Sequence, residues 1–431
     1  MNNLVQKFNS RFFLFVTFIF LIAVYWLYQK HTVGNDSTIS EWIINYQGAF
    51  TRRGIIGEIS FQLADFFNLS LRFVIFLFQT FLYLVYSILI YYFIKNVPKN
   101  TLTIIAIISP LFLLYPIAEI EVLARKEIFL YVGFIIFLNL SNNKYQKNTP
   151  LIYIFFIFPI LCLIWEPFFF FFSFAIYIIL INNDKDSLKK ISLKIILSFS
   201  SSILTLIIII LNTMTVDEHL LMSNVLMNRF GETCYMSCAL LGSKTSIKAQ
   251  YTAVFDLISL EVIFRYSMVV LIGFSALFIL IFNTKLNDKL FFLNLQIFRL
   301  INTKNLFLTF VILLFPSLIL AGFMTDWGRV VNMAYTFSIL TYIYLIKNQL
   351  VIIKEKIFFF DALYDNKKKF FITLLIIYAF SWNPKTGMTG DIATNSLYKI
   401  IYNTSKKIFG FKSMRFFQDT TIIKFHRNYI E

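Results

Sequence analysis

Charge is scarce in this chain. Only 14% of its 431 residues are Asp, Glu, Lys or Arg, while 58% are hydrophobic, 19% are aromatic and 54 are phenylalanine. A soluble domain carries about 25% charged residues, so the scarcity excludes that class and points to an integral membrane protein. Histidine is rarer still: His31, His219 and His426 show no metal-ligand spacing, so no metal and no cofactor is expected. Internal repeats and glycine-rich linkers are missing too, which leaves one domain over 1–431. The net charge of +16 would suggest nucleic acid in a soluble protein. In a membrane protein, Lys and Arg gather on the cytoplasmic side, so the excess is read as topology and no nucleic-acid partner is expected.

Apolar runs near 12–28, 70–94, 101–117, 127–141, 151–164, 168–181, 191–212, 265–283, 305–323, 331–346 and 369–382 approach the roughly 20 residues that cross a bilayer. They predict an all-α, polytopic protein of about eleven transmembrane helices in a lipid membrane. The first run is long and no small-residue cleavage site follows, so it reads as a retained first span. The stretch 151–181 is too long for one crossing. Lys144 and Lys147 precede it and Lys185, Lys189, Lys190 and Lys194 follow it. A hairpin turning at Trp165-Glu166-Pro167, with half-helices short enough to be partly re-entrant, keeps both basic flanks inside. The N-terminus then lies inside, and the polar loops 30–69 and 213–264 lie outside. The basic stretch 383–431 follows outside, or else rests on the surface as an amphipathic tail.

On this topology the unusual charges converge on the outer face. Asn45–Glu58, NYQGAFTRRGIIGE, places Arg52 and Arg53 side by side between Gly48 and Gly54, after Trp42, Tyr46 and Phe50. Asp36, Glu41 and Glu58 share that loop. Glu119, Glu121, Arg125, Lys126 and Glu127 cluster before the fourth run, and Glu166 sits at the hairpin tip. Asp217, Glu218, His219, Arg229 and Glu232 lie in 213–264, and Asp326-Trp327-Gly328-Arg329 fills a short connection. Each has a plain structural reading: a solvated loop pair, a snorkelling helix end, a helix cap, an ion pair three residues apart. Together they predict a polar cavity, because charge at membrane depth is kept by pairing or by lining a cavity.

Arginine presents a planar fork suited to phosphate. Such a cavity suits a polyprenyl-linked phosphate or diphosphate, with arginines stabilising the anionic leaving group as a glycosidic bond breaks. A carboxylate would take the proton of the acceptor hydroxyl; Glu166 and Asp326 are the leading candidates, with Glu41 and Asp36 behind them. Tyr46, Trp42 and Trp327 would stack on sugar rings. Two other patterns carry less. Asp184-Lys185-Asp186 matches a metal–sugar-nucleotide pattern but sits in a lysine-rich inner loop. Cys234 and Cys238 are four apart in an outer loop, where an oxidising compartment permits a disulfide, and Cys162 reads as a buried apolar residue.

Gly48-Ala49-Phe50-Thr51-Arg52-Arg53-Gly54-Ile55-Ile56-Gly57 is followed in order by Ala124-Arg125-Lys126-Glu127, Trp165-Glu166-Pro167 and Asp326-Trp327-Gly328-Arg329. With these motifs the chain resembles the bacterial O-antigen polymerases (Wzy-type), which are similar in layout to the GT-C membrane glycosyltransferases. The resemblance covers about a tenth of the chain. It implies a GT-C-like fold and the joining of undecaprenyl-diphosphate-linked oligosaccharide units at the periplasmic face of the inner membrane, with a chain-length regulator as an expected partner. It also implies that Arg52, Arg53, Arg125 and Arg329, beside Lys126, hold carrier diphosphate and sugar. One departure is that the largest outer loop carries few basic residues. A single-sugar transferase using a polyprenyl-phosphate donor would need the same cavity. A flippase would instead favour mid-membrane charges and two similar halves.

Overall fold

The computed structural model describes residues 2–32, 37–95, 97, 100–123, 125–142, 148–183, 186–242, 247–286, 306–353, 361–362, 366–380, 382–388 and 392–393. Ala124, Asp36, Lys144, Lys147, Asp184, Lys185, His426 and the tail from 394 lie outside the described residues. Among the described residues, the regular structure is helical apart from two small antiparallel ladders. In one, β1 (Thr284–Leu286) pairs with β2 (Val351–Ile353); in the other, β3 (Asn383–Pro384) pairs with β4 (Ile392–Ala393). The main hydrophobic cluster among the described residues draws on side chains from Phe12 to Ala379, and a small second one joins Val254, Val262, Tyr266 and Met388.

Four described helices are long and apolar enough to cross a membrane. They cover Asn9–Thr32 of α1 (Asn2–Thr32), α4 (Leu71–Ile94), Lys189–Leu211 of α11 (Leu188–Leu211), and α17 (Trp327–Lys347). A fifth is a bent pair, α14 (Leu260–Gly273) and α15 (Ser275–Phe282), which meet at 56°. Shorter apolar helices pack among them: α8 (Glu127–Ser141), α9 (Thr149–Ile164), α10 (Phe172–Asn182) after a 3-10 turn at Glu166–Phe171, and α16 (Leu306–Ala321). The protein is therefore an integral membrane protein. Its last described helix is α18 (Lys368–Phe380).

The hairpin at Trp165-Glu166-Pro167 is present. At one end of the bundle, Glu127 and Trp165 both lie against Arg329. At the other, the Asn182 amide donates to the Ser141 carbonyl at 3.3 Å and to the Tyr344 hydroxyl at 2.9 Å. So α8, α10 and α17 run side by side from the charged end, and α9 returns to it. Pro167 favours the break after Trp165, whose backbone is extended. The arms are about 24 Å and 28 Å long at helical rise, so they reach the far end of α8 and are not stubs. Pro159 inside α9 leaves the Phe155 carbonyl without its helical donor, and the Ser201 hydroxyl of α11 donates to it at 2.5 Å.

Two expectations change. The run 101–117 is not one helix: α5 (Thr101–Ile107) stops before Ser109-Pro110, and turns lead to the short α6 (Tyr115–Ala118) and α7 (Ile120–Leu123). Irregular backbone survives inside an apolar bundle only where the protein satisfies it. Here the Asn332 amide donates to the Leu111 carbonyl at 2.8 Å, and the Tyr335 hydroxyl to that of Ala106 at 2.7 Å. The run 265–283 breaks at Gly273, whose carbonyl accepts from Ser109 and Tyr378 hydroxyls, each at 3.1 Å. The two breaks thus close against each other.

The loops expected to be polar are structured as well. Within 30–69, α2 (Ser37–Trp42) and α3 (Gly54–Phe66) pack against each other. A Cβ on Gly57 would stand 1.7 Å from the Ile44 carbonyl oxygen, so only glycine lets α3 approach so closely. Within 213–264, α12 (Val216–Phe230) starts on a Thr215–Glu218 capping box and ends at Gly231 in the left-handed region. It is tied down by Arg72, which grips Glu232 with two hydrogen bonds, and by an ion pair between Arg229 and Asp65. α13 (Ile247–Phe255) follows.

Candidate functional site

The arginine loop enters α3 through Arg53, which sits at φ 64°, a left-handed conformation that costs a non-glycine residue about 1–2 kcal/mol. Its surroundings hold it there. The buried Lys126 ammonium donates to the Arg53 carbonyl at 2.6 Å. The Arg53 guanidinium grips Glu166 with two hydrogen bonds, Nε to Oε2 at 2.8 Å and Nη2 to Oε1 at 2.7 Å. Arg52 adds a third to Oε1 at 3.3 Å.

Below this edge lies Glu41, 1% exposed. Arg53, Arg125 and Arg329 surround its Oε1 at 3.2, 3.5 and 3.6 Å. Arg329 also donates through Nε to Glu127 at 2.6 Å and through Nη1 to Asp326 at 2.8 Å, and it lies over the Trp165 ring. Arg125 reaches the Ser237 hydroxyl at 3.3 Å, joining the centre to the segment after α12. Four stretches distant in sequence therefore meet in one network of Arg52, Arg53, Arg125, Lys126 and Arg329 with Glu41, Glu127, Glu166 and Asp326.

Electrostatics divides these groups by role. Burial alone would raise the Glu166 pKa, but Arg53 and then Arg52 hold it down at about 2. Burial acts likewise on Glu41, and Arg125, Arg329 and Arg53 outweigh it, again to about 2. Both stay ionised and both are poor proton acceptors. Burial pushes Lys126 down to about 7, against the pull of Glu41. Asp326 is the more open carboxylate, 28% exposed, and it binds Arg329 through Oδ2. Arg52 is the most open cation of the network, 40% exposed.

The predicted residues thus separate. Glu166, Arg52, Arg53 and Asp326 reach the surface of the cluster, while Glu41, Arg125, Lys126 and Arg329 lie beneath it. Tyr46 stacks on Phe50 at 5.6 Å, and its backbone N–H donates to the Glu58 carboxylate at 2.9 Å, beside the network. Trp327 donates its indole N–H to the Ala321 carbonyl at 2.8 Å and meets the Tyr266 ring edge-on. Glu127 belongs to the core of the site; the sequence places it in the charged cluster before the fourth run but assigns it no catalytic or binding role, and the structure supplies that place through Arg329. Lys385 pairs with Glu119 at 3.3 Å, bringing the segment after α18 to the same end, and no local pattern announced it.

Cys234 and Cys238 form a disulfide, with the His219 Nε2 3.2 Å from the Cys234 sulfur. These three are a possible ligand group by distance, but the disulfide occupies both sulfurs. Comparison with protein-family models, with characterised proteins and with solved structures finds no match.

Proposed function

We propose that this protein is a glycosyltransferase that joins lipid-diphosphate-linked oligosaccharide units, as an O-antigen polymerase does, at the outer face of the bacterial inner membrane. The observation that carries the reading is the pairing, at one end of an apolar bundle, of an open arginine edge (Arg52 and Arg53 around Glu166) with an open carboxylate (Asp326) through the buried Arg329. On this reading the chain crosses the bilayer eleven times with its N-terminus inside, in a GT-C-like arrangement, and the charged end faces out.

The diphosphate of the carrier lies on Arg52 and Arg53, with Glu166 bonded to both guanidiniums and orienting them. The acceptor hydroxyl oxygen bonds to the anomeric carbon, and the carbon–oxygen bond to the diphosphate breaks. The carrier diphosphate leaves with the electron pair, stabilised by the arginines. Asp326 takes the hydroxyl proton. Glu166 and Glu41, ionised and tightly paired, act as positioning groups.

The experiment is a gel of surface polysaccharide from a strain lacking the gene, complemented with variants. A core bearing one repeat unit, with the ladder gone, supports polymerisation. Loss of even the first unit points to single-sugar transfer or flipping, and an unchanged ladder overturns the reading. Complementation with Asp326→Asn or Arg53→Lys is expected to restore less than about a hundredth of the ladder, since a general base contributes about 10²–10⁴-fold and lysine cannot make the two-pronged grip.

A further inference from the structure

Beside the arginine network stands a second polar centre of different charge. Gly328 packs so closely that a Cβ there would lie 2.1 Å from the Lys385 carbonyl oxygen and 2.4 Å from the Tyr115 hydroxyl. The segment carrying Lys385 is strapped across this point. The Gly328 N–H donates to the Thr386 carbonyl at 3.0 Å, and the Met388 N–H to that of Thr325 at 2.8 Å. The Tyr266 hydroxyl donates to the Lys385 carbonyl at 3.2 Å. Glu119, buried, pairs with the Lys385 ammonium. The Tyr115 hydroxyl and the Lys385 carbonyl both close on Gly328, two residues after Asp326, and the Glu119 N–H donates to the Tyr115 carbonyl at 2.8 Å. That hydroxyl is fully buried and has no hydrogen-bond partner among the described residues.

A buried hydroxyl left unpaired costs about 1–3 kcal/mol, so its retention in a crowded polar centre points to a ligand. The charges indicate which kind. Around Glu166 two arginines face one carboxylate, a setting for a diphosphate. Around Tyr115 two carboxylates, Glu119 and Asp326, face Lys385 and the shared Arg329, a setting that does not draw a second anion. Carboxylate, hydroxyl and ammonium groups side by side match a neutral polyhydroxyl compound, whose O–H groups both donate and accept. Lys385, 37% exposed, and Asp326, 28% exposed, are the members of this centre that reach the surface.

We infer that Tyr115, Glu119, Lys385 and Asp326 form the subsite for the acceptor sugar, with the Tyr115 hydroxyl bonding a sugar hydroxyl next to the one that reacts. This rests on the transferase reading and extends it: donor diphosphate at Arg52 and Arg53, acceptor at Tyr115, with Arg329 between them.

The test is Tyr115→Phe in the full chain. Its readouts are the surface ladder in the deletion strain, the melting temperature of the purified protein in detergent, and polymerisation kinetics in membranes supplied with the purified lipid-linked repeat unit. The hydroxyl has no partner among the described residues, so its removal is expected to leave the melting temperature unchanged. The KM for the repeat unit is expected to rise about fivefold, the loss of roughly one hydrogen bond, with a smaller change in kcat, and the ladder is expected to shorten. Lys385→Gln is expected to shift KM in the same direction. A wild-type ladder and KM in Tyr115→Phe would overturn the subsite and leave the transferase reading standing. A lowered melting temperature would assign the hydroxyl a structural role, and overturn it also. An unchanged ladder in the deletion strain would remove both.

Discussion

At the residue scale, the centre is held by pairs that cannot be broken singly. Arg329 serves Glu127, Asp326 and Glu41 at once. Removing one partner of a buried pair costs about 3–5 kcal/mol, because a desolvated charge is left behind. Arg329→Met is therefore expected to lower the melting temperature far more than Glu127→Gln. The double variant should recover part of the loss, as read by thermal unfolding in detergent. Lys126 gives a pH signature. Unfolded, it holds its proton up to its ordinary 10.5, whereas in the fold burial brings it down to about 7. Between those values the unfolded chain binds more protons, so stability rises with pH over that window. Comparing melting temperatures of wild type and Lys126→Met from pH 7 to 9 should show a rising contribution in the wild type that the variant lacks.

At the element scale, local chemistry announced some features and concealed others. Trp165-Glu166-Pro167 could be read as a turn, because proline breaks a helix and the flanking lysines chose the side. Ser109-Pro110 carried the same kind of signal for the break after α5. The surrounding apolar run masked it, and the compensating donors, Asn332 and Tyr335, come from α17. The fold of 30–69 into α2 and α3 was hidden for a similar reason, since Gly57 matters only once the Ile44 carbonyl is placed against it. Gly57→Ala is expected to separate α2 from α3 and sharply reduce the yield of folded protein, measured by size exclusion in detergent. Ser201→Ala, which strips the donor from the Phe155 carbonyl above Pro159, is expected to cost about 1 kcal/mol.

At the scale of the whole molecule, the proposed orientation makes a topology prediction. Single cysteines at Arg52 and at Lys385 are expected to react with a membrane-impermeant thiol reagent added outside intact spheroplasts, and one at Lys190 only after lysis. Reaction at Lys190 in sealed spheroplasts would reverse the orientation. Composition alone determined that this chain is a helical membrane protein, because so few charges and so much apolar surface are stable only in lipid. Its short motifs also supplied the candidate residues, since Arg52, Arg53, Glu166 and Asp326 stood out as charges in an apolar chain. Only the tertiary structure decided which charges neutralise one another. Glu41 lies buried against Arg53, Arg125 and Arg329, Glu127 lies buried against Arg329, and the buried Lys126 donates to the Arg53 carbonyl, contacts that mostly join residues far apart in sequence. It alone also brought Lys385 to Glu119, because Coulomb interaction depends on distance in space, and distance in space is set by packing rather than by order along the chain.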